Sequence, residues 1–129
     1  MVAWPYNSTT VSGLENIKTS DTAPTINNLG TISGSGTATL TLDTHSAFKF
    51  TVGGAMTLTH SGTIPATQVV QGIIEITNGG SATITYDSDF KFVDGTAPTL
   101  QSSGKDVLSF ISFGDGTNIY LFHVGRNLS

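Results

Sequence analysis

From about residue 37 to residue 124, apolar and polar residues alternate in short runs. Residues 37–42 read TATLTL, 47–52 read AFKFTV and 55–60 read AMTLTH. Each run collects its apolar side chains on one face: Ala38, Leu40 and Leu42; Phe48, Phe50 and Val52; Met56 and Leu58. Successive side chains of a strand point to opposite faces, so strict alternation predicts half-buried strands. Threonine fills the other positions, where its branched Cβ suits the pleat and its hydroxyl meets water. A longer run, 68–77, places Val70, Ile74 and Ile76 on one face with Gly72 between them. A glycine inside a strand marks a bulge or a close approach. Shorter strands are expected at 82–86 and 90–93, with Ile84, Tyr86, Phe90 and Phe92 in the core.

The breaks between runs carry turn chemistry. Gly53-Gly54 and Asn78-Gly79-Gly80 predict tight hairpins between their flanking strands. Gly114-Asp115-Gly116 separates the last two strands, and either glycine can hold a positive φ. Gly34-Ser35-Gly36 precedes the first strong strand. The expected architecture is an all-β sandwich over residues 31–126, with a short tail at 127–129. Residues 1–30 show no sustained period and are read as an extended N-terminal arm, with a weak helical turn around Leu14 and Ile17. Trp4 and Tyr6 in that arm are large aromatics that find a surface to bury against, on a neighbouring chain or on the domain. The tetrapeptide TAPT occurs at 22–25 and at 96–99; its flanks do not match, so it is taken as shared turn chemistry and not as duplication.

The closing strands, 107–113 and 118–124, are apolar on both faces. In the first, Leu108 and Phe110 alternate with Val107, Ile111 and Phe113; in the second, Ile119 and Leu121 alternate with Tyr120, Phe122 and Val124. Such a strand is covered twice or turns one face to a partner. We expect a subunit contact, with Trp4, Tyr6, Phe110, Ile111, Phe113, Tyr120 and Phe122 as interface residues. Free sheet edges invite pairing with other chains and are commonly guarded by lysine or proline. Four lysines are few for that task, so an assembly or the arm is expected to cover the edges.

Composition narrows the options. A chain of 129 residues is one domain by length, and that length builds a core without staples. There is no cysteine, hence no disulfide framework and no thiolate metal site. Charged residues make up 11% of the chain, against about 25% in typical domains. The 21 threonines and 14 serines make the surface one of hydroxyls and amides. The mean hydropathy of +0.09 argues against disorder. The net charge is −4, and the five Lys and Arg residues are scattered singly, without the basic footprint that nucleic acid requires. No apolar run approaches the ~20 residues of a membrane span, and MVAWPYNSTT has no basic n-region or apolar h-region, so neither a signal peptide nor a membrane segment is expected.

No catalytic constellation stands out. His45, His60 and His123 lie far apart in sequence, and zinc needs three or four convergent ligands. Asp87-Ser88-Asp89 with Asp94 could gather oxygens, but the glycine and bidentate glutamate of a calcium loop are missing, so a polar turn is expected. There is no Gly-x-Ser-x-Gly elbow, and Gly34-Ser35-Gly36 has no strand–helix frame for a nucleotide. Phe48, Phe50, Phe90 and Phe92 stand at core positions and not on a sugar platform. No catalytic residue, cofactor or metal is assigned.

Residues 80–124 carry a run of pieces in a particular order: a short strand ending in Tyr86, an aromatic strand at 90–93, Gly-Thr-Ala-Pro-Thr at 95–99, a Ser-containing link at 101–104, Asp-Val-Leu-Ser-Phe at 106–110, Asp-Gly-Thr at 115–117 and a last strand. This order resembles the closing domain of a family of tailed-bacteriophage virion proteins, over roughly residues 38–125. The resemblance implies an antiparallel jelly-roll-like β-sandwich, as in tail fibres, capsid fibres and capsid decoration (cement) proteins, with no catalytic residues. The chain lacks coiled-coil heptads and collagen-like triplets, so a small capsid-bound protein suits it better than a fibre. The function implied is a phage capsid decoration protein at the particle surface, with homodimer or homotrimer contacts and the major capsid protein or another virion protein as partners, and neither nucleic acid nor membrane. The alternative is a tail or capsid fibre tip that binds a host receptor or glycan.

Overall fold

The computed structural model describes residues 23–114 and 117–129. The chain is all-β. Nine strands are present among the described residues: β1 (Ile26–Ile32), β2 (Gly36–Thr41), β3 (Ala47–Val52), β4 (Met56–Ser61), β5 (Val70–Thr77), β6 (Ile84–Tyr86), β7 (Phe90–Lys91), β8 (Lys105–Ser112) and β9 (Ile119–Leu128). They form a six-stranded sheet in the order β1-β3-β5-β8-β9-β7 and a three-stranded sheet in the order β2-β4-β6.

Through β1–β6 the chain changes sheet at every strand. Each coil therefore lays one strand in each layer and stacks on the coil before it. Ile32 lies beside Val52 and Thr51 beside Thr77 in the larger sheet; Gly36 lies beside Met56 and Met56 beside Ile84 in the smaller. These pairings are parallel, as is β7 with β9. Among the described residues, only β5–β8 and β8–β9 are antiparallel. The all-β character expected from the period is present in a curled mixed sheet, and in place of the expected antiparallel jelly-roll order the strands form a parallel coiled stack closed by an antiparallel ribbon. Gly53-Gly54 and Asn78-Gly79-Gly80 accordingly do not close hairpins; they are corners where the chain crosses between layers. A glycine pair supplies the tight bend in either case, and only the partner of the next strand distinguishes them. The last two strands, β8 and β9, pair antiparallel with each other.

The inward positions match the alternating pattern. Across the larger sheet one inner row runs Asn27–Phe48–Ile74–Leu108–His123, and a second contains Phe50, Ile76 and Asp106. Opposite them stand Ala38 and Leu40 of β2 and Met56 and Leu58 of β4. All these apolar side chains belong to one buried cluster, with Phe90, Ile119 and Leu121 filling one end. Tyr86 and Phe92 pack against it with rings 4.9 Å apart in a T-shaped contact, and burial pushes the Tyr86 hydroxyl pKa up to about 12. Ile84, Tyr86 and Phe92, expected in the core, are only partly buried at its rim.

The boundaries shift from the expected ones. β1 begins at Ile26 and pairs with β3, so residues 26–30 belong to the sheet and not to an arm. β9 runs to Leu128, through most of the expected tail. Trp4, Tyr6, Leu14 and Ile17 lie outside the described residues, as do Asp115 and Gly116 of the last turn.

Gly72 shows why one strand position must be glycine. It sits opposite Phe110 in the β5–β8 register. A Cβ there would run into the backbone oxygen of Ser46 and come within 2.5 Å of the Phe110 ring. The Phe110 ring, 1% exposed, fills that space and leans on Phe48 at 6.1 Å. The Ser46 backbone cannot retreat, because its carbonyl accepts the Ile73 N–H. Replacing Gly72 with alanine is therefore an overpacking change, and it should destabilise the fold by roughly 1–3 kcal/mol. Urea unfolding of the variant checks this; an unchanged midpoint would show that the coil can part at Ser46.

Candidate functional site: the outer face of the larger sheet

The outer face of the six-stranded sheet carries the apolar residues that the core leaves over. One row crosses five strands, Ile26–Ala47–Ile73–Ser109–Phe122. Its neighbour runs Gln71–Ile111–Tyr120–Lys91. Ile26 and Ile73 are each 53% exposed and Phe122 41%, large values for strand residues of this type. Val69 and Phe113, just beyond the Val70–Ser112 pair, are also exposed and extend the apolar area to one end of the strands. Val124 is exposed further along β9.

The other end of the same face is polar. The row Asn28–Lys49–Glu75–Val107–Gly125 brings charges together, and Lys105 Nζ reaches Glu75 Oε1 at 2.9 Å. A shallow groove of about 220 Å³ lies between the two halves, floored by Ala47 and walled by Ile26, Ile73 and Val107. Apolar contact is thus offered at one end of the sheet and charge at the other. The bare apolar side chains have a simple origin. β5, β8 and β9 need hydrophobic residues inward, and their outward positions are apolar as well.

The expected interface residues divide accordingly. Ile111, Tyr120 and Phe122 share the outer face, and Phe113 stands at its end. Phe110 points the other way, into the core, where its neighbours Leu108 and Leu121 are also buried, so it is not available to a partner. Parity along β8 makes this unavoidable: if Ile111 faces out, Phe110 faces in. Ile26 and Ile73 were not singled out from sequence. Ile73 sits among alternating apolar residues whose other face is the core, and Ile26 lies ahead of the confident pattern.

Two polar groups lie away from this face. His60 Nε2 is 2.9 Å from Asp89 Oδ2, Thr59 donates to Asp87 Oδ2 at 2.7 Å, and the Asp89 N–H donates to Asp87 Oδ1 at 3.0 Å. The Asp89 N–H and the Thr59 hydroxyl together hold the Asp87 carboxyl below the usual range. The donor atoms of His60, Asp87 and Asp89 lie within 4.8 Å of one another, close enough to share a cation. Three of the four carboxylate oxygens already accept a hydrogen bond inside the group. The arrangement therefore works as a clamp that ties β4 to the turn between β6 and β7. Asp94, named with Asp87 and Asp89 from sequence, is not in this group. His45 is elsewhere, with Nδ1 2.8 Å from the Thr44 hydroxyl and its ring against Phe48.

The second group is built around Asp106, which is fully buried. The Gln101 N–H donates to one carboxylate oxygen at 2.7 Å; the Asn127 N–H donates to the other at 3.2 Å, where His123 Nε2 also lies at 3.0 Å. Burial pushes the Asp106 carboxyl up, but the Gln101, His123 and Asn127 donors outweigh it, and the net shift is downward. One side chain thus ties the link before β8 to the far end of β9. Neither group presents a nucleophile with a base and a cleft.

Comparison with known proteins found no match to a family model, to a curated protein or to a solved structure.

The Asp106 network has a signed pH dependence. A carboxyl held below its unfolded pKa of about 3.9 contributes its full stabilisation above that pH and loses it as the pH falls through the folded value. Acid should therefore weaken the fold below about pH 4. Asp106→Asn should cost about 1.5–3 kcal/mol at neutral pH, the usual scale for hydrogen bonds to a charged group, and should flatten the acid limb. Thermal melts of both proteins from neutral pH into acid test it; parallel acid limbs would assign the pH sensitivity to other carboxylates.

Proposed function

We propose that the protein is a non-catalytic structural component of a bacteriophage particle, a capsid decoration (cement) protein that acts by binding. The observation that carries this reading is the apolar outer face of the larger sheet, centred on Ile73 and Phe122. Exposed apolar patches rimmed by polar residues are interaction sites. The ordered pieces of residues 80–124, with their resemblance to phage virion proteins, supply the setting. That resemblance is one of sequence, and it is kept for function although the strand directions differ from a jelly roll.

The occupant we assign to the face is a second copy of this chain. Two apolar halves would meet, while the Lys49–Glu75–Lys105 end stays at the wet rim, where charge sets register more than affinity. Fully burying one such side chain is worth roughly 1.5–3 kcal/mol, and association costs several kcal/mol before any gain appears. No single residue therefore holds the pair; Ile26, Ile73, Ile111, Phe113 and Phe122 must act together. Subunits joined this way would meet the particle at several points, and linked binding events multiply weak contacts.

The test is self-association and particle occupancy. Ile73→Asp with Phe122→Asp changes only outward positions, so the fold should stay intact by circular dichroism. The native chain should sediment as an oligomer and the double variant as a monomer, with occupancy on particles lowered at least tenfold. A native chain that is monomeric at high micromolar concentration would refute the subunit contact. A native chain that binds host cells but not particles would replace decoration with receptor binding.

A further inference from the structure

The corner after β5 has two backbone requirements, and together they produce a reactive dipeptide. Asn78 holds a positive φ of 56°, a conformation that asparagine tolerates better than most residues with a side chain. Gly79 is buried, and a Cβ there would come within 2.6 Å of Leu100 Cδ1 and 2.9 Å of Leu100 Cβ, so packing demands glycine. The corner therefore takes Asn-Gly, and no other asparagine of the chain precedes a glycine.

Asn-Gly is the sequence in which an asparagine loses its side-chain amide most readily, because no Cβ shields the following nitrogen. The Gly79 nitrogen attacks Asn78 Cγ. An N–Cγ bond forms, the Cγ–Nδ2 bond breaks, and ammonia leaves with the proton from the Gly79 nitrogen, closing a five-membered succinimide. Water then opens the ring at one of its two carbonyls. Opening at Cγ leaves aspartate. Opening at the main-chain carbonyl leaves isoaspartate, whose main chain runs through the β-carbon. Water is the only co-reactant.

In the folded chain the atoms that must move are held. Asn78 Oδ1 accepts the Gly104 N–H at 3.2 Å, and the Asn78 N–H donates to the Gly104 carbonyl at 2.8 Å. The Asn78 carbonyl accepts the Ser81 N–H at 3.0 Å and the Ser81 hydroxyl at 2.8 Å, which fixes the plane of the Asn78–Gly79 peptide. The Gly80 N–H donates to the Gln101 carbonyl at 2.8 Å. Attack requires that plane to turn and Cγ to swing over the Gly79 nitrogen. The bonds to Gln101 and Gly104 come from the link before β8, and Asp106 anchors that link by accepting the Gln101 N–H at 2.7 Å.

We propose that Asn78 is a modification site gated by this link: its side-chain amide is lost spontaneously when residues 101–104 lift, and stays intact while they are docked. The chemistry is slow beside reclosure, so its rate follows the population of the lifted state. The two products differ in consequence. Aspartate keeps an oxygen for the Gly104 N–H, and the link docks again. Isoaspartate inserts a carbon into the main chain beside Gly79, where Leu100 and Ile76 leave no room for one, and the link stays loose. An opening that is transient in the amide form becomes permanent in the isoaspartyl form. The inference does not depend on what occupies the outer face of the larger sheet.

Peptide mapping by mass spectrometry tests it on the full chain aged in mildly alkaline buffer, with amide hydrogen exchange alongside. Loss of the Asn78 amide should be at least tenfold slower in the folded chain than in the same chain held unfolded in guanidinium chloride. Asp106→Asn weakens the anchor and should speed the loss at least tenfold while the amides of β3 and β4 stay protected. Ser81→Ala, an exposed change that removes one bond from the Asn78 carbonyl, should speed it several-fold in an intact fold. Equal rates in the folded and unfolded chains would overturn the gate, and so would unchanged rates in both variants. Acceleration in Asp106→Asn matched by faster exchange throughout β3 and β4 would overturn it as well, since the opening would then be global. Asn78→Asp should keep the Gly104 amide protected, and the isolated isoaspartyl chain should lose that protection; protection in both would overturn the permanent opening.

Discussion

Close stacking of one coil on the next is the constraint on which the rest of the molecule depends. In a parallel stack, side chains that share a register position form a line through the core, and each must fit the one above and below. Phe48 lies beside Ile74 and Phe50 beside Ile76, and the antiparallel β8 continues the first line with Leu108. The backbone must also come close at the corners, which is why Gly54 meets the Gly34 backbone and Gly72 admits both Ser46 and Phe110. These glycines are not there for flexibility. They remove a carbon where two chains would otherwise collide.

The closing ribbon resolves a problem that the stack creates. A parallel stack leaves an open sheet edge at each end, and β8 and β9 seal one of them by pairing antiparallel with β5 and with each other. The seal is locked by Asp106, whose carboxylate gathers donors from the preceding link and from the end of β9. A fully buried carboxylate is tolerated only when its oxygens are satisfied, and here both are. The same ribbon turns Ile111, Tyr120 and Phe122 outward. Closure of the core and presentation of an apolar face are therefore two consequences of the same pair of strands, separated by the parity of the pleat.

Among the described residues, the two clustered polar groups hold turns and links. His60, Asp87 and Asp89 bind one another between β4 and the turn after β6, and Thr59 completes the group. These residues attract attention in the sequence because their types are those of metal and acid–base sites. In space they form a compact clamp whose oxygens are largely occupied, and the outer face of the larger sheet exposes apolar side chains. This arrangement is what the proposed role in assembly would use.

Much of this was legible along the chain. Period-two alternation determined that the protein is all-β, and it determined which side chains face inward: Phe48 with Phe50, Met56 with Leu58, Ile74 with Ile76. It also marked β8 and β9 as greasy on both faces, because alternation is a local property of the pleat. Strand direction and partner choice were not legible. A Gly-Gly corner and a Gly-Gly hairpin have the same local chemistry, and they differ only in which distant strand the chain meets next. The same distance kept Ile26 and Ile73 from being seen as neighbours of Phe122, and His60 as a neighbour of Asp89. Sequence alone determined what each strand buries; the tertiary structure decided which strands touch, because register between remote segments is set by the fit of whole coils and not by any short run of residues.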